Sequence, residues 1–383
     1  MKIRIKQICV VVCLLVFIYI SGCSNTDNYL GAGDISPTMT FDKNIEAAKS
    51  DIDVDSVLSY MALIDNKVIY KSISGDSVNY IKSLTTGENV YLGSTPDFYL
   101  SMKQAAFDYP YLYFFVGTLN GQSETDKAEN ILIKLNVNTG GLEQFENADG
   151  SLPGLSAYYF DKHIITLKNI VTEGTTSTFI ESFDIEKNDW KRYFECSIDN
   201  KSGKGTAVYG VCANQNNIFA LYDICNNKKE IDTYLIILDK QYKVEKSIRV
   251  NKEMHDYVMT SFIADMQVFD DYIYIYNASN YGYLARIEDD KLEEMYKGRN
   301  FEISTNPFSS QPIFYTRRSN RVYLIDEYGK WETLELQIGN NYTIKNILAD
   351  DESCFIVCYA DDLDDCAYFV DRKVIDKVQL PCE

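Results

Sequence analysis

Histidine is nearly missing from this chain of 383 residues, which contains 2 of them, His163 and His255. A histidine-based zinc centre, a histidine brace or a Ser-His-Asp relay each needs imidazole groups brought together with further polar partners. Two histidines that lie far apart in the sequence leave little from which to build such a centre. The scarcity therefore argues against these three kinds of active site.

Basic residues are also few, with 37 Lys and Arg against 56 Asp and Glu, which gives a net charge of −19. An acidic surface repels phosphate backbones, so the composition predicts no sequence-independent binding of nucleic acid. Proline is low at 7 residues, and 46% of the chain is apolar. Such a composition can bury a large core and excludes intrinsic disorder.

The sequence lacks the short motifs that mark several enzyme classes. These are the phosphate-binding Gly-x-x-x-x-Gly-Lys loop, the dinucleotide-binding Gly-x-Gly-x-x-Gly, the hydrolase Gly-x-Ser-x-Gly elbow and the zinc-binding His-Glu-x-x-His. Each of them places a backbone or side-chain group where its chemistry needs it. We therefore expect a protein that is not an enzyme and that needs no cofactor.

Residues 1–22 have the layout of a secretory signal, since three basic residues precede an almost wholly apolar run at 8–20. The run is short for a membrane helix and ends in Ile20-Ser21-Gly22-Cys23. This ending resembles the lipobox of bacterial lipoproteins. The resemblance implies cleavage before Cys23, diacylglycerol on its sulfur and anchoring by two or three acyl chains such as palmitate. The alternatives are an ordinary cleaved signal and an uncleaved single-span anchor.

Residues 23–55 are expected to form the lipidated cysteine and a flexible tether. Ser, Thr, Asn, Asp and Gly predominate from Ser24 to about Ser50, with only scattered apolar residues. A polar coil of this kind spaces a folded body from the lipid surface. The folded domain is expected to cover residues 56–383.

This domain contains a repeated element, which is an apolar run, an Asp or Asn with a few turn residues, and a second run rich in β-branched and aromatic residues. The turn residues of its clear copies are Asp65, Asp108, Asp161, Asn214, Asp270 and Asp350. A weaker copy near Gln311 divides the last gap, so the copies recur at intervals of about 47 residues. Internal repeats of this length are typical of arrays of supersecondary units.

A second polar turn follows each element, as at Asp184, Asp239, Asp289, Asp326 and Asp371. Each repeat therefore predicts four short antiparallel strands and two hairpins, because Asp and Asn close turns through their own side chains.

Four strands in each repeat of about 47 residues are typical of a β-propeller blade. The chain resembles the WD40-like or TolB-like propellers of exported bacterial proteins, although the Gly-His, Trp-Asp and kelch signatures are missing. The expected fold is thus an all-β propeller with seven blades, and six or eight blades are the alternatives. A pair of β-sandwiches or a β-helix would be a different solution.

In such a propeller, the links between blades and the turns between second and third strands share one face. Asn226–Asp232 is one of these turns, and Thr95–Tyr99 and Asn251–Tyr257 are two of the links. Their polar composition and variable length are typical of binding loops on a rigid scaffold. We therefore name Tyr99 and His255 as candidate residues of a ligand face.

Four aspartates in the 361–365 segment form the densest carboxylate cluster, namely Asp361, Asp362, Asp364 and Asp365. Oxygen-rich loops suit calcium, but this one lacks the alternating spacing of a calcium loop. A solvated acidic loop is the expected interpretation, and a structural calcium site is the alternative. We include the four aspartates in the candidate ligand face.

Tyrosine is abundant, with 30 copies. Exposed tyrosines could stack on sugars or anchor protein partners, but alternate positions such as Tyr272, Tyr274 and Tyr276 are expected in strands buried between blades. His255 could act as an acid or base, or it could be an inert surface residue.

Seven cysteines follow Cys23, and an exported chain permits disulfides between them. Cys354 and Cys358 are too far apart along one strand to bond to each other. Cys212 and Cys225 lie on adjacent strands and could pair. Burial as small apolar residues is the expected role of most of them.

These expectations combine into one function. We expect a monomeric, exported lipoprotein, held on the extracytoplasmic side of the cell membrane by its lipid, whose propeller binds a protein or peptide partner without catalysis. A propeller that binds or processes cell-wall or nutrient glycans is the alternative.

Overall fold

The computed structural model describes residues 47–380 with several gaps. The described residues are 47–50, 52–64, 67–74, 77–84, 89–96, 100–101, 105–118, 129–147, 156–227, 230–258, 263–304, 312–325, 330–339, 341–361, 363–376 and 379–380. The predicted signal peptide, Cys23, Tyr99 and Asp362 lie outside them. Within these ranges no helix is both long and apolar enough to cross a membrane.

The first two sheets are antiparallel, and neighbouring strands pair in sequence order. Sheet 1 consists of β2 (Val57–Ile64), β3 (Lys67–Ser74), β4 (Ser77–Leu84) and β5 (Asn89–Pro96). Sheet 2 consists of β6 (Leu100–Ser101), β7 (Ala106–Asp108), β8 (Tyr111–Thr118), β9 (Glu129–Asn136) and β10 (Leu142–Asn147). The short strands β6 and β7 both pair with β8, so together they take the place of one first strand.

Eight further strands form two successive antiparallel meanders. Sheet 3 consists of β11 (Tyr158–Phe160), β12 (His163–Val171), β13 (Thr175–Asp184) and β14 (Asp189–Asp199). Sheet 4 consists of β15 (Gly205–Ala213), β16 (Ile218–Asn227), β17 (Glu230–Leu238) and β18 (Val244–Arg249). The two join through a single residue pair, Ile198 with Gly205. Gly205 has φ +140, and a Cβ there would lie 2.0 Å from the Ser197 carbonyl oxygen, so glycine permits this close approach.

Three more sheets complete the described strands, apart from one short pair. Sheet 5 consists of β19 (Ile263–Phe269), β20 (Tyr272–Asn277), β21 (Tyr281–Ile287) and β22 (Leu292–Arg299). Sheet 6 consists of β23 (Phe301–Ile303), β24 (Phe314–Thr316), β25 (Arg321–Ile325) and β26 (Trp331–Glu335). Sheet 7 consists of β28 (Thr343–Ala349), β29 (Ser353–Ala360), β30 (Leu363–Asp371) and the N-terminal β1 (Ala48–Lys49). The remaining strands, β27 (Gln337–Ile338) and β31 (Gln379–Leu380), pair in parallel.

In the part of the chain that the structure describes, helical structure is limited to short segments. One α-helix, α1, spans Lys252–Val258 and links sheet 4 to sheet 5. Two 3-10 turns lie at Val54–Ser56 and Arg372–Val374.

Strand β20 illustrates why these residues form buried strands. All six of its residues are buried, and successive side chains of a strand point to opposite faces of the sheet. Tyr272, Tyr274 and Tyr276 pack against aromatic residues of sheet 6, whereas Ile273 and Ile275 pack into a core shared with sheets 3 and 4. The prediction that alternating tyrosines belong to the core is therefore confirmed.

The core consists of clusters that lie between the sheets. Individual clusters join sheets 1 and 2, sheets 2 and 3, sheets 5 and 6, and sheets 6 and 7, and the largest joins sheets 3, 4 and 5. A further cluster joins sheet 7 to sheet 1, where Val68 and Tyr70 meet Phe355 and Phe369. Each sheet thus packs face to face with its neighbours in sequence, and the last packs on the first. This is an all-β, propeller-like fold, as predicted.

Several of the predicted turn residues that the structure describes close their hairpins as expected. Asp161 and Asp270 adopt positive φ angles of 46 and 45. The Asn214 side chain accepts the Asn217 backbone N–H at 2.9 Å, and Asp239 accepts that of Gln241 at 2.8 Å. Local side-chain chemistry therefore determines the positions of these turns.

Sheet 7 departs from the prediction that another strand follows Asp371. The Asp371 side chain accepts the Lys373 backbone N–H and starts a 3-10 turn. The outer position beside β30 is instead filled by β1, in which Ala48 pairs with Phe369. Within the described ranges, paired structure thus begins at Ala48, inside the segment expected to be a tether, because β1 completes this sheet from the other end of the chain.

The suggested pairing of Cys212 with Cys225 is wrong. Cys212 lies opposite Phe219 near the hairpin turn, whereas Cys225 lies opposite Gly205 at the far end of the same two strands. The two cysteines are therefore separated by most of the strand length. Both are buried thiols, and burial raises the pKa of each.

Candidate functional site

A cleft of about 540 Å³ lies at one end of sheet 4. It is lined by Ile231–Thr233 near the start of β17, by Arg249–Lys252 from the end of β18 to the start of α1, and by His255 and Asp256 of α1. Ile231 and Asp232 belong to the turn, and Asn251, Lys252, His255 and Asp256 to the link, that the sequence predicted to lie on a binding face. They meet because the turn between the second and third strands of a meander lies at the same end as the exit of its fourth strand.

Helix α1 holds His255 in place through contacts on both sides. The Asn251 side chain accepts the Met254 backbone N–H at 2.7 Å and caps the helix. Met254 is 1% exposed and packs into the core. On the outer side, the Lys297 ammonium contacts the Glu253 carboxylate at 2.6 Å, which ties the helix to sheet 5. The His255 position is therefore defined by packing rather than by a loose loop.

The wall of the cleft carries charges of both signs. The Arg249 guanidinium donates to the Asp232 carboxylate, and His255 Nδ1 lies 3.4 Å from Asp256 Oδ1. The side chains of Arg249 and Asp232 are 70% and 36% exposed. Because solvent-exposed ion pairs contribute little to stability, a bound ligand can rearrange this pair at low cost.

A buried carboxylate lies behind the cleft. Asp223 is 1% exposed, and its Oδ1 accepts the Thr233 hydroxyl at 2.6 Å. Burial raises the pKa of Asp223, while the Thr233 hydrogen bond and the nearby His255 oppose that shift. In the sequence, Asp223 is the one charged residue within the segment Leu221–Cys225. This signal of a buried carboxylate was not recognised.

The buried position of Asp223 predicts a pH-dependent effect of Asp223→Asn. A raised pKa in the folded state means that the folded chain disfavours the carboxylate. The resulting loss of folding stability is absent below an ordinary Asp pKa of about 3.9 and complete above the raised pKa of Asp223. The asparagine can still accept from Thr233 and carries no charge. We expect the unfolding midpoint of the variant, relative to wild type, to rise between about pH 4 and neutrality.

Thermal unfolding across this pH range measures the difference, with Asp232→Asn at the surface as the matched control. If the unfolding midpoint of Asp223→Asn relative to wild type stays constant or falls as the pH rises, the assignment of a buried, disfavoured carboxylate is refuted.

The other predicted site residues that the structure describes, Asp361, Asp364 and Asp365, belong to sheet 7 or follow its strand β29 directly. Asp361 accepts the Tyr359 hydroxyl, and Asp365 forms an ion pair with Lys345. Asp364 is exposed near the same turn. The structure therefore places these aspartates at sheet 7 and His255 on α1, and does not bring them together. Over the described ranges no group of three or more His, Cys, Asp or Glu side chains is arranged to hold a metal ion.

Four exposed aliphatic side chains lie beside turns between second and third strands. They are Val171 of sheet 3, Ile224 and Ile231 of sheet 4, and Leu363 of sheet 7, which are 65%, 37%, 38% and 50% exposed. Ile231 also lines the cleft. Their exposure could not be predicted from the sequence. An aliphatic residue within a strand is expected to be buried, and which ones are exposed depends on how the sheets pair and pack.

No known protein family matches the chain, and no curated protein matches it. Among solved structures, an uncharacterized protein of Listeria monocytogenes is 11% identical, with 89% of this chain and 99% of that chain covered and a TM-score of 0.47. A streptogramin B lyase is 12% identical, with 85% and 96% covered and a TM-score of 0.45. The β-propeller domain of a protease from Pyrococcus furiosus is 14% identical, with 72% and 96% covered and a TM-score of 0.34. At these values the similarities support no conclusion about this chain. The fold is defined by the strand pairing and packing described above.

Proposed function

We propose that the seven sheets are the blades of a closed propeller and that the chain is a non-catalytic binding module for a protein partner. The ring is supported by the core clusters, which join consecutive sheets and also join sheet 7 to sheet 1. It is supported further by β1, which completes sheet 7 from the other end of the chain. Radial repetition of this kind leaves only short, protected sheet edges.

In a closed ring, the turns between second and third strands and the links between sheets share one face. We call this the binding face and define it by Val171, Ile224, Ile231 and Leu363 together with the cleft of sheet 4. The observation that carries the proposal is that aliphatic side chains are exposed at this end of three different sheets. Exposed apolar groups surrounded by polar ones are typical of protein interaction sites.

The cleft favours a peptide segment of a partner over a sugar. Ile231 offers an apolar contact, and the exposed Arg249–Asp232 pair offers groups that can bond to a backbone or to charged side chains. None of the described residues that line the cleft is Phe, Tyr or Trp, whereas sugar binding commonly uses stacking on the rings of these residues. The net charge of −19 favours a basic partner.

We also propose that the module is a monomeric lipoprotein on the extracytoplasmic side of the membrane. The support is the Ile20-Ser21-Gly22-Cys23 ending of the apolar leader, which lies outside the described residues. A lipid on Cys23 would hold the module at the membrane surface and leave its binding face available to other envelope proteins.

Site-specific photo-crosslinking in intact cells tests the binding face. A photoreactive amino acid is placed at Ile231 or Leu363 and, as controls, at Val244 or Tyr109, which are 49% and 63% exposed but lie beside turns at the other end of their sheets. We expect one partner to be crosslinked from the first two positions and not from the controls.

The affinity of the purified partner then separates binding from chance proximity. Ile231→Asp is expected to raise its Kd about tenfold or more, as for truncation of a buried interface anchor, whereas Val244→Asp leaves the Kd within about twofold. Equal crosslinking from both ends, or unchanged affinity for Ile231→Asp, would rule out the proposed face.

A further inference from the structure

Two cysteines of sheet 7 lie directly opposite each other on neighbouring strands. Cys358 of β29 pairs in register with Cys366 of β30, and both belong to the same core cluster. Opposite residues of an antiparallel pair project to the same face with Cα atoms about 4.5 or 5.5 Å apart. Both spacings fall within the range of about 4.4–6.8 Å that a disulfide spans. The strand register therefore places the two Cα atoms at a separation that a disulfide can span.

We propose that Cys358 and Cys366 are a disulfide site, which closes when the chain meets an oxidant of the disulfide class. In the first step the thiolate of one cysteine attacks the oxidant, forms a mixed disulfide and releases one thiol. The second thiolate then displaces the other half of the oxidant. The two cysteines lose two protons and two electrons, and the oxidant disulfide becomes two thiols.

Cys354 shows why this pair is specific. It lies on β29, four residues before Cys358, so about 13 Å separates the two at the usual rise of a strand. Its opposite residue is Val370, which offers no sulfur. Burial raises the pKa of the Cys354 thiol to about 12, so this thiol forms little thiolate near neutral pH. Cys354 is therefore a matched control on the same strand.

The bond would join the two strands just below the turn that connects β29 to β30. This turn leads into Leu363, one of the four aliphatic residues of the binding face. Cys358 is fully buried, and Cys366 is 7% exposed, so an oxidant reaches Cys366 first. The inference rests on strand register and holds whether or not the face binds a partner.

Peptide mapping of the full chain tests the site. The protein is incubated with oxidised glutathione, alkylated under denaturing conditions and digested with a protease that cleaves before aspartate. Cleavage at the aspartates between the two cysteines separates residues 351–360 from 365–370. We expect these fragments to stay linked, with a mass two hydrogens below their sum, and to separate on reduction. Tandem mass spectrometry assigns the bond to Cys358 rather than Cys354.

Two variants serve as controls for this mapping. Cys354→Ser keeps the linked fragments, and Cys358→Ser loses them. Reduction is expected to lower the unfolding midpoint of the wild type and of Cys354→Ser, and to leave that of Cys358→Ser unchanged. Separate fragments in the oxidised wild type, or a glutathione adduct that persists on Cys366, would overturn the proposal.

Discussion

Replacing Glu181 by Gln is expected to lower the free energy of unfolding by about 3–5 kcal/mol. Glu181 and Lys168 form an ion pair at 3.2 Å, with side chains 2% and 0% exposed. They lie on the face of sheet 3 that packs against sheet 2, where the Lys168 ammonium is 5.7 Å from the centre of the Phe115 ring. The amide leaves the buried ammonium without a compensating charge, and an uncompensated buried charge is strongly destabilising.

Urea unfolding of three variants separates charge from packing. Glu186→Gln breaks the exposed Lys162–Glu186 pair of the same sheet, whose side chains are 65% and 63% exposed, and should cost less than about 1 kcal/mol. The double variant Lys168→Met with Glu181→Leu removes both charges and should recover most of the loss. A double variant as unstable as Glu181→Gln would mean that volume, rather than charge, determines stability at this position.

Phe314→Ala is expected to lower the free energy of unfolding by about 3–5 kcal/mol, as other truncations of buried aromatic residues do. Phe314 is 0% exposed and lies between sheets 5 and 6. Its ring centre is 5.4 Å from that of Phe301, 5.7 Å from that of Trp331 and 5.9 Å from that of Tyr274. Removing the ring leaves a cavity that three aromatic neighbours cannot fill without moving.

The measurement is again urea unfolding, combined with the fluorescence of Trp331, which is one of only 2 tryptophans in the chain. Phe314→Leu should cost clearly less than Phe314→Ala, and Tyr91→Ala, at a residue 59% exposed, should stay within about 0.5 kcal/mol of wild type. A cost below about 1 kcal/mol for Phe314→Ala would show that sheets 5 and 6 do not pack on each other as described.

Local chemistry explains how much of the fold was predictable. The hairpin turns at Asp161, Asn214 and Asp270 follow from sequence because Asp and Asn hydrogen-bond their own turns and tolerate positive φ. Alternating tyrosines such as Tyr274 follow from the two-residue period of a strand that is covered on both faces. These features involve residues that are close together in the sequence.

Features that depend on pairing between distant segments were not predictable. The strand β1 is only two residues long, and its partner β30 lies near the other end of the chain, so no local pattern connects them. The pairing of Cys358 with Cys366 was also missed, because it depends on the register of β29 with β30. Asp223 was overlooked since the burial of one Asp depends on which segments cover its strand.

The segments that form the candidate site could be predicted from the sequence, but their arrangement in space could not. Turn position and polar composition identify Asn226–Asp232 and Asn251–Tyr257 as surface loops. Their meeting in one cleft depends on the register of β17 with β18, in which Leu235 pairs with Ile248. The roles of Arg249 and Ile231 depend on the solvent exposure of their side chains. The alternation of side chains between the two faces of a strand does not by itself define that exposure.

A crystal structure of the full chain tests the central claim most directly, because the binding face exists only if the sheets close into a ring. We predict seven sheets around one axis, with Ala48 paired to Phe369 in the last sheet and the turns bearing Val171, Ile231 and Leu363 on a single face. An open array or two stacked sheets, or a last sheet completed by a strand other than β1, would contradict the account.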